Sequence, residues 1–443
     1  MCQAAAAGGS SDWRGRRVST FDGQLPFGPL TGYPQFRESP GTVSIRTLVD
    51  MTTPDSPSLS RRTLLGSLPV FGLFALAACS SPSTSTPTAT ASTTPAPSSA
   101  AASASATASA TGSTTAAGTV AQLAQSFQAT LGTDLQSQLL QDYSLANAKL
   151  WSNLPQALLS GGMGGGPGGG GGSGPRIGLN LADLNESQLS AFNTLLAAAT
   201  GSAKGLGYDE VQQHLNADEY LGANGGGNDY GRSGYYIAFL GSPADTGTWE
   251  FQFGGHHLAV ANTYKNGVLA GATPSFRGIE PNSAFDYNGT TNQPMAAKEA
   301  AFAALLAGLT TDQQATAKLS KTYSDLLLGP GQDWAFPTTK EGLQVSKLSS
   351  EQKKLVLAAI AGYANDIADD DAATILRRYE NELDGTYVAY SGTTALTQQN
   401  DYIRIDGPSV WIEFSMQRGI VLSGNHPHSL WRDRNTDYGG TKD

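Results

Sequence analysis

The sequence predicts an α+β fold: a single domain in which helices are segregated from antiparallel sheet meanders, arranged as two similar halves. Three observations carry this. Apolar residues recur at helical spacing in blocks that precede the strand-like runs instead of alternating with them. The strand-like runs are short and bounded by turn residues, with Asn266 and Gly267 the strongest hairpin signal. Two helix starts also resemble each other, Leu184, Asn185, Glu186, Ser187, Gln188 and Leu348, Ser349, Ser350, Glu351, Gln352, which points to an internal repeat.

In chain order, residues 1–50 are rich in Gly, Arg and Pro without strong periodicity, and are expected to be a mis-assigned or disordered leader, with Met51 the true start. Residues 51–78 carry the features of a signal peptide in the required order. Arg61 and Arg62 supply the positive charge, as in a twin-arginine export signal, although Leu64 stands where Phe is more usual. An apolar stretch of about 15 residues follows, short of the roughly 20 a spanning helix needs. Leu76, Ala77 and Ala78 then lead into Cys79, which resembles a lipobox whose cysteine accepts diacylglycerol. Residues 79–118 are nearly all Ser, Thr, Ala and Pro. They cannot bury enough apolar surface to offset chain entropy and are expected to be a disordered tether.

The domain is expected to span 119–443. Helical spacing runs through 119–155, and 161–174 is a Gly-rich loop; no Lys-Ser/Thr pair follows it, so it is not a phosphate loop. The first half is predicted as helices at 181–201 and 208–221 and strands at 233–241, 248–255, 256–267 and 268–276. The second is predicted as helices at 295–308, 311–328, 349–365 and 370–383 and strands at 385–392, 401–407, 409–416 and 419–424.

Composition excludes several functions. The net charge is -10 and no Lys/Arg run occurs, which argues against nucleic acid as a partner. The two cysteines, Cys2 and Cys79, lie outside the domain, so it has no thiol for a disulfide, a metal or a nucleophile. No Gly-x-Ser-x-Gly elbow is present.

Four of the five histidines fall in two motifs, His256 with His257 and His426 with His428. In an extended segment His426 and His428 face the same side, as two ligands of one metal would. His256 and His257 are adjacent, so on a regular strand only one joins them. Glu413 lies in an apolar strand and needs a partner there, with Arg404 placed to reach it across a hairpin at Gly407 and Pro408. The sharpest reading is a mononuclear site of His426, His428, one of His256 and His257, and Glu413 as ligand or general base, suited to Zn, Cu, Mn or Fe. Two rivals stand beside it: a metal-free site in which a histidine is the base next to Glu413 or Asp433, and histidines that only tie strands together.

Tyr235, Tyr236, Ile237, Ala238, Phe239, then Trp249 to Leu258, then Thr273, Pro274, Ser275, Phe276 resemble one half of the bacterial and fungal domain-of-unknown-function family 3500. Tyr402 to Pro408, Trp411 to Phe414, and His426, His428, Ser429, Trp431, Arg432, Asp433 resemble the other half. The resemblance covers about residues 120–440 and implies one domain, often secreted, with no activity attached; 161–174 departs from it as an insertion.

The sequence therefore predicts an envelope lipoprotein, held to membrane lipid through Cys79 on the outer face of the cytoplasmic membrane or released from it. Its metal-dependent, hydrolytic site would act on a small-molecule substrate, with Arg404 and Arg432 orienting an anionic group beside Asp433. The alternative is a non-catalytic lipoprotein that holds a metal ion or small ligand.

Overall fold

The computed structural model describes residues 119–160 and 175–442. The leader, the signal segment, Cys79, the tether and the Gly-rich run lie outside these residues.

The first series comprises α1 (Val120–Ala129), α2 (Thr133–Leu139), β1 (Leu140–Gln141), α3 (Leu145–Ala148), α4 (Gln156–Ser160), β2 (Leu179–Asn180), α5 (Glu186–Ala199) and α6 (Gly207–Leu221), followed by β3 (Tyr236–Leu240), β4 (Thr248–Gly255), β5 (Leu258–Lys265), β6 (Val268–Gly271) and β7 (Ser275–Gly278). A small hairpin of β8 (Phe285–Tyr287) and β9 (Thr290–Asn292) intervenes. The second series is α7 (Ala296–Ala307), α8 (Thr311–Ala317), β10 (Leu343–Gln344), α9 (Ser350–Ala364), α10 (Asp369–Asn381), β11 (Tyr387–Ser391), β12 (Tyr402–Asp406), β13 (Val410–Arg418) and β14 (Asn425–Asp433).

Both meanders belong to one 12-stranded sheet in the order β1-β3-β4-β5-β7-β14-β13-β12-β11-β10, with β2 added on β3 and β6 on β5. They join at the antiparallel pair β7–β14, where His428 faces Gly278 and Ser429 faces Arg277. The two halves match in detail about this seam. The predicted helix starts are capping boxes, Asn185 with Gln188 and Ser349 with Gln352. Gln136 Nε2 donates to the carbonyls of Gln128 and Leu131, as Gln314 Nε2 does to those of Leu306 and Leu309. β1 runs parallel to β3, and Lys318 bridges Tyr390 in the same sense.

Alternation along the strands sends Ile237, Phe239, Phe251 and Phe253 to one face, where they pack under α1 and α5. Phe192 meets Phe127 at 5.6 Å and Phe253 at 5.0 Å. Burying one such ring contributes roughly 1.5–3 kcal/mol. Ile403, Ile405, Ile412 and Phe414 do the same under α7 and α9. The opposite face carries Ala259, Phe276, Trp411 and Leu430, and is covered by irregular chain bearing Trp151 and Leu328.

A buried ionic cluster joins the halves on the helical face. Lys298 Nζ lies 2.7 Å from both Glu210 carboxylate oxygens and 3.1 Å from Asp366 Oδ1. Arg277 approaches Glu210 and Asp366 at 3.5 Å each. Burial, then the neighbouring Glu210, raises the Asp366 carboxyl to about 6.

Three predicted elements differ. The helix expected over 311–328 ends at Ala317; beyond it Lys318 turns extended and residues near 327 lie on the sheet, their amides bound by Glu413. The strand expected over 419–424 is a loop, pinned by Glu280 Oε1, which accepts from the amides of Ile420, Val421 and Leu422 at 3.0, 3.0 and 2.6 Å. The strand is instead the polar 425–433 run, buried because β13 and β7 flank it. Finally, His256 and His257 form the two-residue turn between β4 and β5 instead of opening a strand.

Candidate metal centre

The β4–β5 turn is where the first histidines are placed. His257 has φ +60, a left-handed conformation that costs a residue with a Cβ roughly 1–2 kcal/mol. Neighbours hold it there: its N–H donates to the Asn153 carbonyl at 3.1 Å, and its carbonyl accepts from Gly278 N–H at 2.8 Å. This kink sends His257 towards the loop-covered face. The β14 period places His426 and His428 on that same face, flanking Pro427.

The three rings then form a triangle. Ring centres of His257, His426 and His428 are 5.1 Å apart in every pair. One nitrogen of each lies within 4.8 Å of the others. His257 Nε2 and His428 Nε2 are 3.2 Å apart. Tetrahedral Zn–N bonds of about 2.0–2.1 Å imply about 3.4 Å between ligand nitrogens, so this pair is already at ligand spacing. His428 Nδ1 is 3.1 Å from Asp325 Oδ1, a carboxylate contact that orients the ring with Nε2 towards the centre. His426 Nδ1 is buried and has no hydrogen-bond partner among the described residues.

The electrostatics suit ligands. Burial first, then the neighbouring histidines, holds His257 well below the usual imidazole range. The same causes lower His426 to about 2. Both rings are therefore neutral at physiological pH, the form that donates to a metal.

His256 is not one of the three. It stacks on His257 at 3.7 Å and its Nδ1 meets Asp218 Oδ1 at 2.6 Å. Asp218 also accepts from Gly231 N–H at 2.8 Å, and Tyr235 Oη donates to the His256 carbonyl at 2.7 Å. His256 thus buttresses the turn.

The other predicted residues lie outside the triangle, each engaged elsewhere. Glu413 accepts four hydrogen bonds, from Leu327 N, Leu328 N, Tyr402 Oη and Trp411 Nε1. No lone pair is left convenient for a metal or a proton in flight; burial raises its pKa and these donors oppose that rise. Arg404 faces Glu413 in register, but its guanidinium reaches Glu341 at 2.7 Å and Tyr323 at 3.2 Å. Arg432 binds Asp437 and Asp333 at 2.9 and 3.1 Å. Asp433 pairs with Arg378 and accepts from Tyr379 Oη at 2.7 Å. These four are braces of the loop-covered face and the seam, because each is already held by an opposite charge or by hydrogen-bond donors outside the triangle.

Asp325 was missed by sequence reasoning. It lies on irregular chain with no spacing relation to the histidines, so no local signal could have found it.

Residues 113–440 match the family described as protein of unknown function (DUF3500). The chain belongs to this family. No curated protein and no solved structure matches the chain. The family description assigns no chemistry, so a functional reading rests on the site itself. Among the described residues no helix is long and apolar enough to cross a membrane.

Proposed function

We propose that this protein is an exported, lipid-anchored envelope protein whose domain holds one divalent transition-metal ion on His257, His426 and His428, and that the ion activates water for hydrolysis of a small-molecule substrate. One observation carries the reading: three buried imidazoles, one from the β4–β5 turn and two from β14, converge, and among the described residues His426 Nδ1 has no hydrogen-bond partner. All-nitrogen ligation suits Zn, Cu or Fe; Mn, which prefers oxygen ligands, fits less well without the Glu413 carboxylate. Three protein ligands leave a fourth place, the usual arrangement of a site that binds water and lowers its pKa. Asp325 would orient His428, and His256 with Asp218 would hold His257.

A second reading has its own support. The three histidines are 2%, 6% and 9% exposed. Such enclosure favours an ion held without turnover, a metal-storing or metal-stabilised envelope protein.

Elemental analysis of the purified protein tests the shared part. Stoichiometric metal is expected, and its loss in a His426→Ala/His428→Ala variant. If the wild-type chain holds no stoichiometric metal even after reconstitution, the proposal fails. The anchor rests on the order Arg61, Arg62, apolar stretch, Cys79. Mass spectrometry should find diacylated Cys79 as the mature N-terminus; an unmodified chain retaining upstream residues would refute it.

A further inference from the structure

Among the described residues five basic side chains are buried: Arg176, Arg277, Lys298, Arg404 and Arg432. Four of them have carboxylate partners: Arg277 and Lys298 share Glu210 and Asp366, Arg404 has Glu341, and Arg432 has Asp333 and Asp437. Arg176 is the exception. It is 7% exposed, and no carboxylate of the described residues lies within ion-pair distance. Its contacts are neutral acceptors: Nη2 donates to the carbonyls of Ser152 and Leu154 at 2.7 and 2.5 Å, and Nη1 to Gln156 Oε1 at 3.2 Å. Asp218, whose charge acts on it, is committed to His256 and the Gly231 amide. Burial lowers the Arg176 pKa to about 10, against the small upward pull of Tyr235, Asp218 and Tyr236.

Removing an ion from water costs several kcal/mol even after relaxation, and carbonyl dipoles repay only part of this. Arg176 also lines a partly open cavity, with Trp151, Ile177, Tyr236, Gln252 and Gly254. The cavity volume is about 20 Å³, somewhat more than the 10–15 Å³ that admits one water. That admits the edge of a planar carboxylate and is tight for a tetrahedral oxyanion.

We propose that this cavity is an anion subsite that takes the carboxylate end of a small ligand, with Arg176 as its counter-charge and Trp151, Ile177 and Tyr236 as the walls against the ligand's apolar part. The subsite adjoins the histidine triangle through one short strap. Asn153, whose carbonyl holds the His257 amide, sits between Ser152 and Leu154, whose carbonyls hold Arg176. Leu258, the residue after His257, lines the cavity. The inference does not depend on the metal, because none of its groups is one of the three histidines.

The test uses the full-length protein treated with chelator, so that loss of metal and loss of anion binding are scored separately. Its melting temperature is followed while sodium acetate replaces sodium chloride at constant ionic strength, with sodium phosphate as a second probe. A saturable rise with acetate, absent with phosphate, is expected. Arg176→Met should weaken acetate binding roughly ten- to hundredfold, the range for losing a hydrogen bond to a charged partner, and Arg176→Lys should retain part of it. The proposal is overturned if acetate does no more than chloride, if phosphate matches acetate, or if Arg176→Met keeps the wild-type response. Should Arg176→Met fail to fold, titration of ¹³C-acetate against the wild type by NMR decides alone: no saturable line broadening overturns the proposal.

Discussion

Glu413→Gln separates a brace from a participant in chemistry. The carboxylate receives Leu327 N and Tyr402 Oη at Oε1, both at 2.6 Å, and Leu328 N and Trp411 Nε1 at Oε2, both at 2.9 Å. An amide offers one oxygen, so either orientation turns an NH₂ group onto two donors. In each orientation one of these is a backbone N–H that cannot rotate away. With the NH₂ at the Oε1 position the Tyr402 hydroxyl can turn to accept, so at least one hydrogen bond to a charged acceptor is lost, and the substitution should cost about 1.5–3 kcal/mol or more. That is a large share of the 5–15 kcal/mol typical of a folded protein. Urea unfolding at pH 7 should show a lower midpoint, while the fraction that remains folded keeps the metal proposed for the histidine triangle. The reasoning is refuted if the midpoint is unchanged and metal or turnover is lost, for Glu413 would then belong to the reacting site.

Three other perturbations bear on the seam and the site. Lys298→Met leaves two buried carboxylates facing Arg277 alone and should cost about 3–5 kcal/mol; in urea unfolding, adding Glu210→Gln should recover much of this, and a strictly additive double variant would count against the cluster. Burial, then Arg277, lowers His214 to about 3; it is neutral when folded and titrates near 6.5 when unfolded, so its share of stability is complete above that pH and falls by about 1.4 kcal/mol per unit below it. Measured against His214→Gln, the wild type should lose about 2 kcal/mol between pH 7 and pH 5, and a difference that does not vary with pH would contradict the assignment. Gly278→Ala would put a Cβ 3.1 Å from His257 Cδ2 and from the Pro427 carbonyl; displacement of His257 should weaken metal roughly tenfold in chelator competition, at about 1.4 kcal/mol, and unchanged affinity would remove His257 from the ligand set.

Most of the fold was legible because its signals are local. Asn185 with Gln188 and Ser349 with Gln352 announce two helices within four residues each, and Asn266 and Gly267, with φ 52 and 79, form the turn that these two residue types favour because both tolerate positive φ. The failures arose where burial is decided at long range. Asn425–Asp433 is polar in sequence yet forms a central strand, because Arg432 meets Asp333 and Asp433 meets Arg378, both from distant segments. Leu326, Leu327 and Leu328 suggest a helix, but the Glu413 carboxylate, 85 or more residues away, claims the amides of the last two. In the candidate site the spacing of His426 and His428 identified a pair. The choice between His256 and His257 could not be made, since it turns on one left-handed residue and on Asp218.

The repeat explains why the triangle sits at the seam. Each half ends its second helix near an acid that holds the following strand turn: Asp218 grips His256 in the β4–β5 turn, and Glu382 accepts from Ser409 N and Oγ at 3.0 and 2.8 Å in the β12–β13 turn. The scaffold is shared, but only the first half has imidazoles there. The second half contributes through β14, which pairs with β13 from Asn425 onwards but with β7 only from His428. Its unpaired start overhangs β7 and brings His426 beside the His257 turn. One proposed ligand therefore comes from one meander and two from the other, and neither half carries the set alone. A metal bound there would span β5, β7 and β14, so its binding free energy would add directly to the cohesion of the halves, beside the Lys298 cluster beneath the same seam.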